Sequence, residues 1–355
     1  MWNNLQQFFR RRPDKVVGID IGASSVRAAE LTWRDGQPLL AHFGMADLPP
    51  GTIDNGHCRD IAALTEALRQ VLNTSGAKER DAVLAVGSPG LFIREVAYPV
   101  MTPAELAEAV KWDSEKHISF EPGSYYFDFA VLGQANELEM KVLLTASPRD
   151  VVDGLVTAAK GAGLRTVCVD AEPLALYRTL SVAHNSMVVD IGAEMSQVTL
   201  FQGGSPVFTR PIPIGGKRFT EVVMDVFELD FAEAERFKQR QQGLLPRDEK
   251  GGEQTPIQRQ LEALATELAQ EALRTAQYYN MQNKTMVIDK LFLAGGGAKL
   301  DNLSSYFAAQ LDVPVIVHDP LATLAVNPRL DSDYVRNVSL RFGVAVGLAL
   351  GGGRS

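Results

Sequence analysis

Residues 16–31 read VVGIDIGASSVRAAEL and residues 188–201 read VVDIGAEMSQVTLF. In the first stretch β-branched residues enter and leave a Gly/Ala/Ser tip, the pattern of a β-hairpin. The second stretch repeats the Asp-Ile-Gly-Ala core, so that Asp20 and Asp190 stand 170 residues apart in a chain of 355. That spacing is about half the chain and predicts two like halves, each opening its sheet with the same hairpin.

Between the hairpins the pattern changes. A strand at DAVLAVG, the Ser88-Pro89-Gly90 turn and a second strand at LFIREVAYP lead into a helix whose start is well marked. Thr102 suits the N-cap, Pro103 the first helical position and Glu105 the third, completing a capping box. Strands at 125–132 and 140–146 and a helix at 148–162 follow, and residues 81–168 are read as an α+β module inserted into the first half. The second half runs through a strand, the Gly215-Gly216 turn and a helix, then a short helix at 230–240 and a polar loop at 243–256. A long helix with Ile257, Leu261, Leu264, Leu268 and Ala272 on one stripe comes next. The chain then reads as strand, glycine turn and helix at KLFLAGGGAKLDNLSSYFAAQL (290–311), and FGVAVGLAL (342–350) as a small-residue helix that packs closely.

Composition narrows the chemistry. The length suggests two to three domains, and 46% hydrophobic with 22% charged residues is ordinary for a folded protein. A net charge of −8 argues against a general nucleic-acid surface, so any phosphate site must be local. The N-terminal segment is the exception: Arg10, Arg11, Arg12 and Lys15 follow Trp2, Leu5, Phe8 and Phe9, a pattern that fits contact with an anionic membrane but is better read as a frayed basic tail. Cys58 and Cys168 have no CxxC partner, and the five histidines show no HxH or HExxH spacing, so disulfide and zinc chemistry are not indicated. Ser88 lies in GSPG rather than GxSxG, and Trp33 and Trp112 are read as packing residues. No apolar run reaches the roughly 18–20 residues that span a bilayer, and no signal peptide is read, which predicts a cytoplasmic protein.

A triphosphate needs converging amide hydrogens, and glycine-rich turns offer them because the backbone can approach closely. Three such turns occur. Two are the hairpins, each with an aspartate ending its incoming strand, and two carboxylates facing across a cleft suit a hydrated Mg²⁺, which takes few protein ligands. The third, Gly295-Gly296-Gly297, sits between a strand and a helix, where amides and helix dipole favour phosphate or ribose.

The order hairpin, hairpin, strand-GGG-helix resembles the phosphate 1, phosphate 2 and adenosine motifs of the actin-like ATPase superfamily. That resemblance implies an α/β, actin-like (ribonuclease H-like) two-lobed fold with an inserted α+β 1C module. VDAEPLALYR (169–178) resembles the connecting helix and places Glu172 near a hydrolytic-water position, a candidate catalytic residue. The module from SPGLFIREVAYP onward, with DFAEAERFK, AQYYN and LFLAGGGAKLDNL, is similar to the PilM family of type IV pilus assembly, over about residues 15–350.

The PilM resemblance implies ATP and Mg²⁺ as cofactors. It carries nucleotide contacts onto Asp20, Gly22, Ala23, Ser24, Ser25 and Arg27, onto Asp190, Gly192, Ala193, Gly215, Gly216 and Lys217, and onto Gly295, Gly296, Gly297 and Lys299. Asp20 and Asp190 are the metal residues, through water. It divides the chain into a tail (1–14), subdomain 1A (15–80 and 169–187), 1C (81–168), 2A (188–225 and 285–340), 2B (226–284) and a C-terminal helix returning to 1A (341–355). It implies a groove between 1A and 1C for the cytoplasmic N-terminal peptide of a PilN-type inner-membrane protein. A place at the cytoplasmic face of the inner membrane follows, with slow ATP hydrolysis at most, and contacts to pilus cytoplasmic ATPases and self-association are compatible with it. Two departures stand out: Glu194 brings a carboxylate beside the second phosphate turn, and HISFEP (117–122) replaces a more usual Ile-Pro-Phe sequence. The rival class, a sugar or acetate kinase of the same superfamily, needs a substrate pocket with a catalytic base beside the γ-phosphate.

Overall fold

The computed structural model describes residues 15–87, 89–180, 185–240, 255–282 and 286–352. The basic tail, Ser88, His184 and most of the polar loop fall outside these residues. Strands β1 (Val17–Ile21), β2 (Ser25–Arg34) and β3 (Gln37–Asp47) form an antiparallel meander. A small hairpin, β4 (Ile53–Asp54) and β5 (His57–Cys58), leads to helix α1 (Ile61–Ser75), capped by Asp60 accepting from the Ala63 amide. Strand β6 (Asp81–Val86) then pairs in parallel with β1.

The next segment builds a separate sheet: β7 (Phe92–Pro99), α2 (Pro103–His117), β8 (Tyr125–Gln134) and β9 (Glu139–Pro148), with strand order β7-β9-β8. The capping box at Thr102 and Glu105 forms as the sequence predicts. Leu106 and Val110 of α2 pack on Tyr98, Met140, Val142 and Leu144, so this sheet and helix share a core of their own. Helix α3 (Arg149–Gly161) returns to the first lobe, and strand β10 (Arg165–Ala171) joins β6 in parallel.

Helix α4 (Glu172–Thr179) links the halves, after which β11 (Ser186–Ile191), β12 (Ser196–Gln202) and β13 (Ser205–Ile212) repeat the meander. Helices α5 (Gly216–Phe227), α6 (Phe231–Arg240) and α7 (Pro256–Gln282) follow. Then come β14 (Lys290–Ala294), a 3-10 turn at Gly296–Lys299, α8 (Leu303–Leu311) and β15 (Val315–Val317). Last are β16 (Ala325–Val326), α9 (Ser332–Val338) and α10 (Gly343–Gly352).

The internal repeat is explicit in the topology. One sheet has the order β10-β6-β1-β2-β3-β16 and the other β15-β14-β11-β12-β13, so each repeat hairpin holds the same central place. Even the turns match: the Gly22 amide donates to the Ser25 carbonyl (3.1 Å) and the Gly192 amide to the Met195 carbonyl (3.0 Å).

Alternation along each strand sets the layers. Val17, Ile19 and Ile21 face α1 and α3, while Met187, Val189 and Ile191 face α5, α7 and α8. The opposite faces look toward each other across α4 and α10. Val83 and Ala85 from one sheet and Val188, Phe201 and Phe292 from the other pack on Ala175, Leu176, Val344 and Leu348. Tyr177 of α4 stacks on Phe201 with ring centroids 4.1 Å apart. The small residues of α10 allow this: a side chain at Gly18 would strike the Ala345 carbonyl, and one at Gly347 the Ala175 carbonyl.

Two boundaries read from the sequence move. The segment 81–168 is not one inserted module, because β6 and β10 sit in the first-lobe sheet and α3 in its core, leaving residues 92–148 as the separate sheet. A parallel strand beside β1 is what completes that sheet, and β6 supplies it. The return to the first lobe also comes before residue 341: β16 pairs with β3, and Leu321 and Val335 pack with Leu40 and Phe43. Trp112, read as a packing residue, is 79% exposed on α2.

Candidate functional site

Asp20 and Asp190 end the central strands of the two sheets, on the faces that look toward α4 and α10. Each has as its cross-strand partner the residue seven positions on, Arg27 and Gln197. Side chains of such partners share a face, so Arg27 lies over Asp20 and forms an ion pair with it while also donating to the Ser25 hydroxyl (2.9 Å). Glu172 opens α4 with its carboxylate packed against Gly87, where a side chain would overlap it. A cavity with room for about one water lies beneath, lined by Glu172, Asp190, Gln197, Thr199 and Phe201.

The three carboxylates and one guanidinium interact as a set. Burial, with the charges of Asp20 and Asp190 added, pushes Glu172 up to about 8 against the partial relief of Arg27. Burial and Asp20 push Asp190 up to about 6. Burial opposes the charge on Arg27, but Asp20, Asp190 and Glu172 outweigh it and raise its affinity for the proton. Three acids against one base leave an excess of negative charge when all are ionised, a setting that favours a bound cation.

The glycine elbow stands directly beside this set. Gly295 has φ of +79°, and a side chain there would overlap the Asp190 carboxylate, while one at Gly297 would overlap the Ile191 side chain. These are places where only glycine lets two backbones meet. The elbow continues into the 3-10 turn, and α8 begins only at Leu303. The helix-dipole argument for this turn therefore does not hold in the form the sequence suggested.

The other expected residues divide. Gly22, Ala23, Ser24 and Ser25 form the first tip and Gly192 and Ala193 the second, with Ser24 exposed. Gly215, Gly216 and Lys217 serve the hairpin: the Gly216 amide donates to the Gly192 carbonyl (2.9 Å) and the Lys217 amide to the Ala193 carbonyl (2.8 Å). Those two amides are spent, and the Lys217 side chain is exposed. Lys299 is engaged as well, with its ammonium on the Asn337 carbonyl. Glu194 is exposed at the turn.

Sequence reasoning passed over three charged residues. Lys238 of α6 donates to the Gly216 carbonyl (2.9 Å) and the Thr220 hydroxyl (2.7 Å) and pairs with Glu235 at 2.7 Å. Burial lowers the Lys238 proton affinity, and Glu235 only partly restores it. Burial acts against the Glu235 charge, but Lys238 and hydrogen bonds from Thr220 and Gln239 hold it below the usual carboxylate range. Arg341 lies against Gly296, where an added methyl would stand 3.3 Å from its Cγ and Nε. The DFAEAERFK segment signalled the first two by its helical spacing, whereas nothing around Arg341 in the sequence marks it.

Comparison with known proteins places this geometry. The family described as Type IV pilus assembly protein PilM matches residues 18–352. The chain belongs to the PilM family. A solved PilM-PilN type IV pilus biogenesis complex is similar at TM-score 0.83 and 29% identity, covering 96% of this chain and 99% of that one. MreB 5 of Spiroplasma citri, solved with AMPPNP bound, shares the fold at TM-score 0.51 and 13% identity, covering 95% of this chain and 94% of that one. The cell shape-determining protein MreB of Escherichia coli is 28% identical over an alignment of 206 residues, with coverage of 47% of this chain and 57% of that protein. The chain thus spans little more than half the length of that curated relative. The architecture is the actin-like two-lobed α/β fold with an inserted α+β module, as expected for a PilM. No described helix is long and apolar enough to cross a membrane, and among the described residues no three His, Cys, Asp or Glu side chains converge as direct metal ligands.

Proposed function

We propose that this PilM-family protein is an ATP-binding scaffold of the type IV pilus assembly platform. Nucleotide lies in the cleft between the lobes, and the cytoplasmic N-terminal peptide of a PilN-type membrane protein lies in the groove between subdomains 1A and 1C. The observation that carries the nucleotide site is the meeting of Asp20, Glu172, Asp190 and Arg27 beside an elbow whose glycines are required by close backbone approach. The AMPPNP in the MreB 5 structure and the PilN in the PilM complex support the two halves of the reading. The protein then reaches the cytoplasmic face of the inner membrane through its partner.

The residues fit Mg-ATP. Asp20 and Asp190, acting through water, would hold a hydrated Mg²⁺, which supplies charge neutralisation for the phosphates when bound. Ala23, Ser24 and Ala193 at the hairpin tips and Gly295 to Gly297 at the elbow present backbone to the nucleotide. Arg27 pairs with Asp20 and orients its carboxylate. In the ligand-free protein burial and the neighbouring acids push Glu172 up to about 8. With Mg²⁺ and phosphates in the cleft it would orient water as a hydrogen-bonding group.

The test is titration of the full chain with a peptide copying the cytoplasmic segment of the PilN-type protein, with and without Mg-ATP. Saturable binding whose affinity changes with nucleotide is expected, since two sites on one pair of lobes are thermodynamically linked. Absence of peptide binding in both conditions refutes the partner assignment, and absence of any Mg-ATP effect on thermal unfolding refutes the nucleotide site.

A further inference from the structure

The two ends of the cleft carry opposite charge. At the hairpins Asp20, Glu172 and Asp190 outnumber Arg27. At the glycine elbow the balance reverses, because Lys238 and Lys299 both lie close enough to Arg341 for its charge to lower their proton affinity after burial has done so. Lys238 is matched by Glu235 at 2.7 Å, whereas Lys299 donates to a neutral carbonyl, so the excess positive charge at this end comes from Lys299 and Arg341.

Arg341 is the residue with the least compensation. Among the described residues its only side-chain hydrogen bond is a weak one, from Nη1 to the Met45 sulfur at 3.8 Å. Burial disfavours its charge, Arg27 adds repulsion, and Glu235, Asp47 and Tyr334 return only part of the loss. The rest of its five N–H donors have no protein acceptor among the described residues and are open to solvent, and so to an anionic ligand.

Position adds a second argument. Arg341 follows α9 and precedes Phe342, whose ring lies 3.7 Å from that of Phe43 in β3, so its backbone belongs to the first lobe. Its side chain nevertheless packs on Gly296 of the second lobe. It thus reaches from the first lobe to the elbow of the second.

Resting on the nucleotide reading above, we infer that Arg341 is a further nucleotide-binding residue. From the first lobe it recognises the phosphate charge of a nucleotide seated on the Gly295-Gly297 elbow, so that a nucleoside lacking phosphate gains little from it. In this role it also adds a phosphate-mediated link between the lobes to the packing on Gly296 that exists without ligand.

The test compares the full-length protein with Arg341→Met and Arg341→Lys by calorimetric titration with ATP, ADP and adenosine in the presence of Mg²⁺. One charge-assisted contact is worth about 1.5–3 kcal/mol, or roughly 10- to 150-fold in affinity. Arg341→Met is expected to weaken ATP and ADP by about tenfold or more while changing adenosine by less than about twofold, and Arg341→Lys to recover part of the loss. Thermal unfolding without ligand establishes that the variants are folded, and the lysine variant carries the comparison should the methionine variant not fold. Unchanged ATP affinity in the folded variants, or an equal loss for adenosine, overturns this inference alone. Failure of the unsubstituted protein to bind ATP overturns the nucleotide reading and this inference with it.

Discussion

A methyl group at Gly347 would overlap the carbonyl of Ala175, so α10 and α4 lie in backbone contact in the layer between the two sheets. One of these helices opens with Glu172 and the other follows Arg341, and their spacing therefore sets how the charged groups of the cleft face one another.

Gly347→Ala is the direct probe of that contact. The added carbon meets backbone rather than a flexible side chain, so the helices must separate, with a loss of at least about 2 kcal/mol. Chemical denaturation should show this loss together with weakened Mg-ATP stabilisation. A variant as stable as the parent would mean that the layer adjusts freely.

Asp20→Ala and Asp190→Ala should each abolish the upward shift in unfolding temperature given by Mg-ATP. In the unsubstituted protein that shift reflects about 2.7 kcal/mol when ligand is present at 100 times its Kd. A substitution in the proposed peptide groove should leave it intact. Undiminished stabilisation in both aspartate variants removes the proposed metal residues.

The raised carboxyls make stability depend on pH in a definite direction. Glu172 at about 8 and Asp190 at about 6 bind protons more tightly folded than unfolded. Their contribution is fully present below the ordinary carboxylate range near pH 4 and is lost as pH rises through about 6 and then about 8. Glu172→Gln, which cannot ionise, should therefore raise the unfolding temperature of the ligand-free protein at pH 8 by a few degrees and leave it nearly unchanged at pH 5. Equal effects at both pH values would contradict the assignment.

Glu30 offers a test away from the cleft. It is 4% exposed and accepts from the amides of Lys78 (2.7 Å) and Glu79 (3.0 Å), anchoring the turn before β6. Glu30→Ala leaves two amides without their acceptor and should cost about 1–3 kcal/mol without altering nucleotide affinity, as read by denaturant titration and calorimetry.

The parts of this protein legible in sequence are those with strong local chemistry. The Asp-Ile-Gly-Ala repeat gives the two hairpins because strand and turn residues alternate there in a short space, and Thr102 and Glu105 mark α2 by their caps. What was hidden depends on distant partners. The parallel pairing of β6 with β1 has no local signature, so the sequence pattern alone sets the module boundary too wide. The use of the Gly216 and Lys217 amides by the second hairpin could not be seen from a double glycine alone. Arg341 lies in the short segment SLRF, where neither periodicity nor motif marks it, and only the fold brings it to Gly296.

The two lobes differ in how much of the polypeptide each must wait for during synthesis. The β11 to β15 sheet is drawn from one continuous stretch, Ser186 to Val317, and has all its strands once that stretch has left the ribosome. The lobe holding Asp20 starts earlier but finishes later, because Phe342, Ala345, Val346 and Ala349 fill the pocket formed by Ala29, Leu31, Leu40 and Phe43. The part of its inner face formed by Ala29, Leu31, Leu40 and Phe43 stays uncovered until Phe342 and α10 emerge, so the half translated first is completed last.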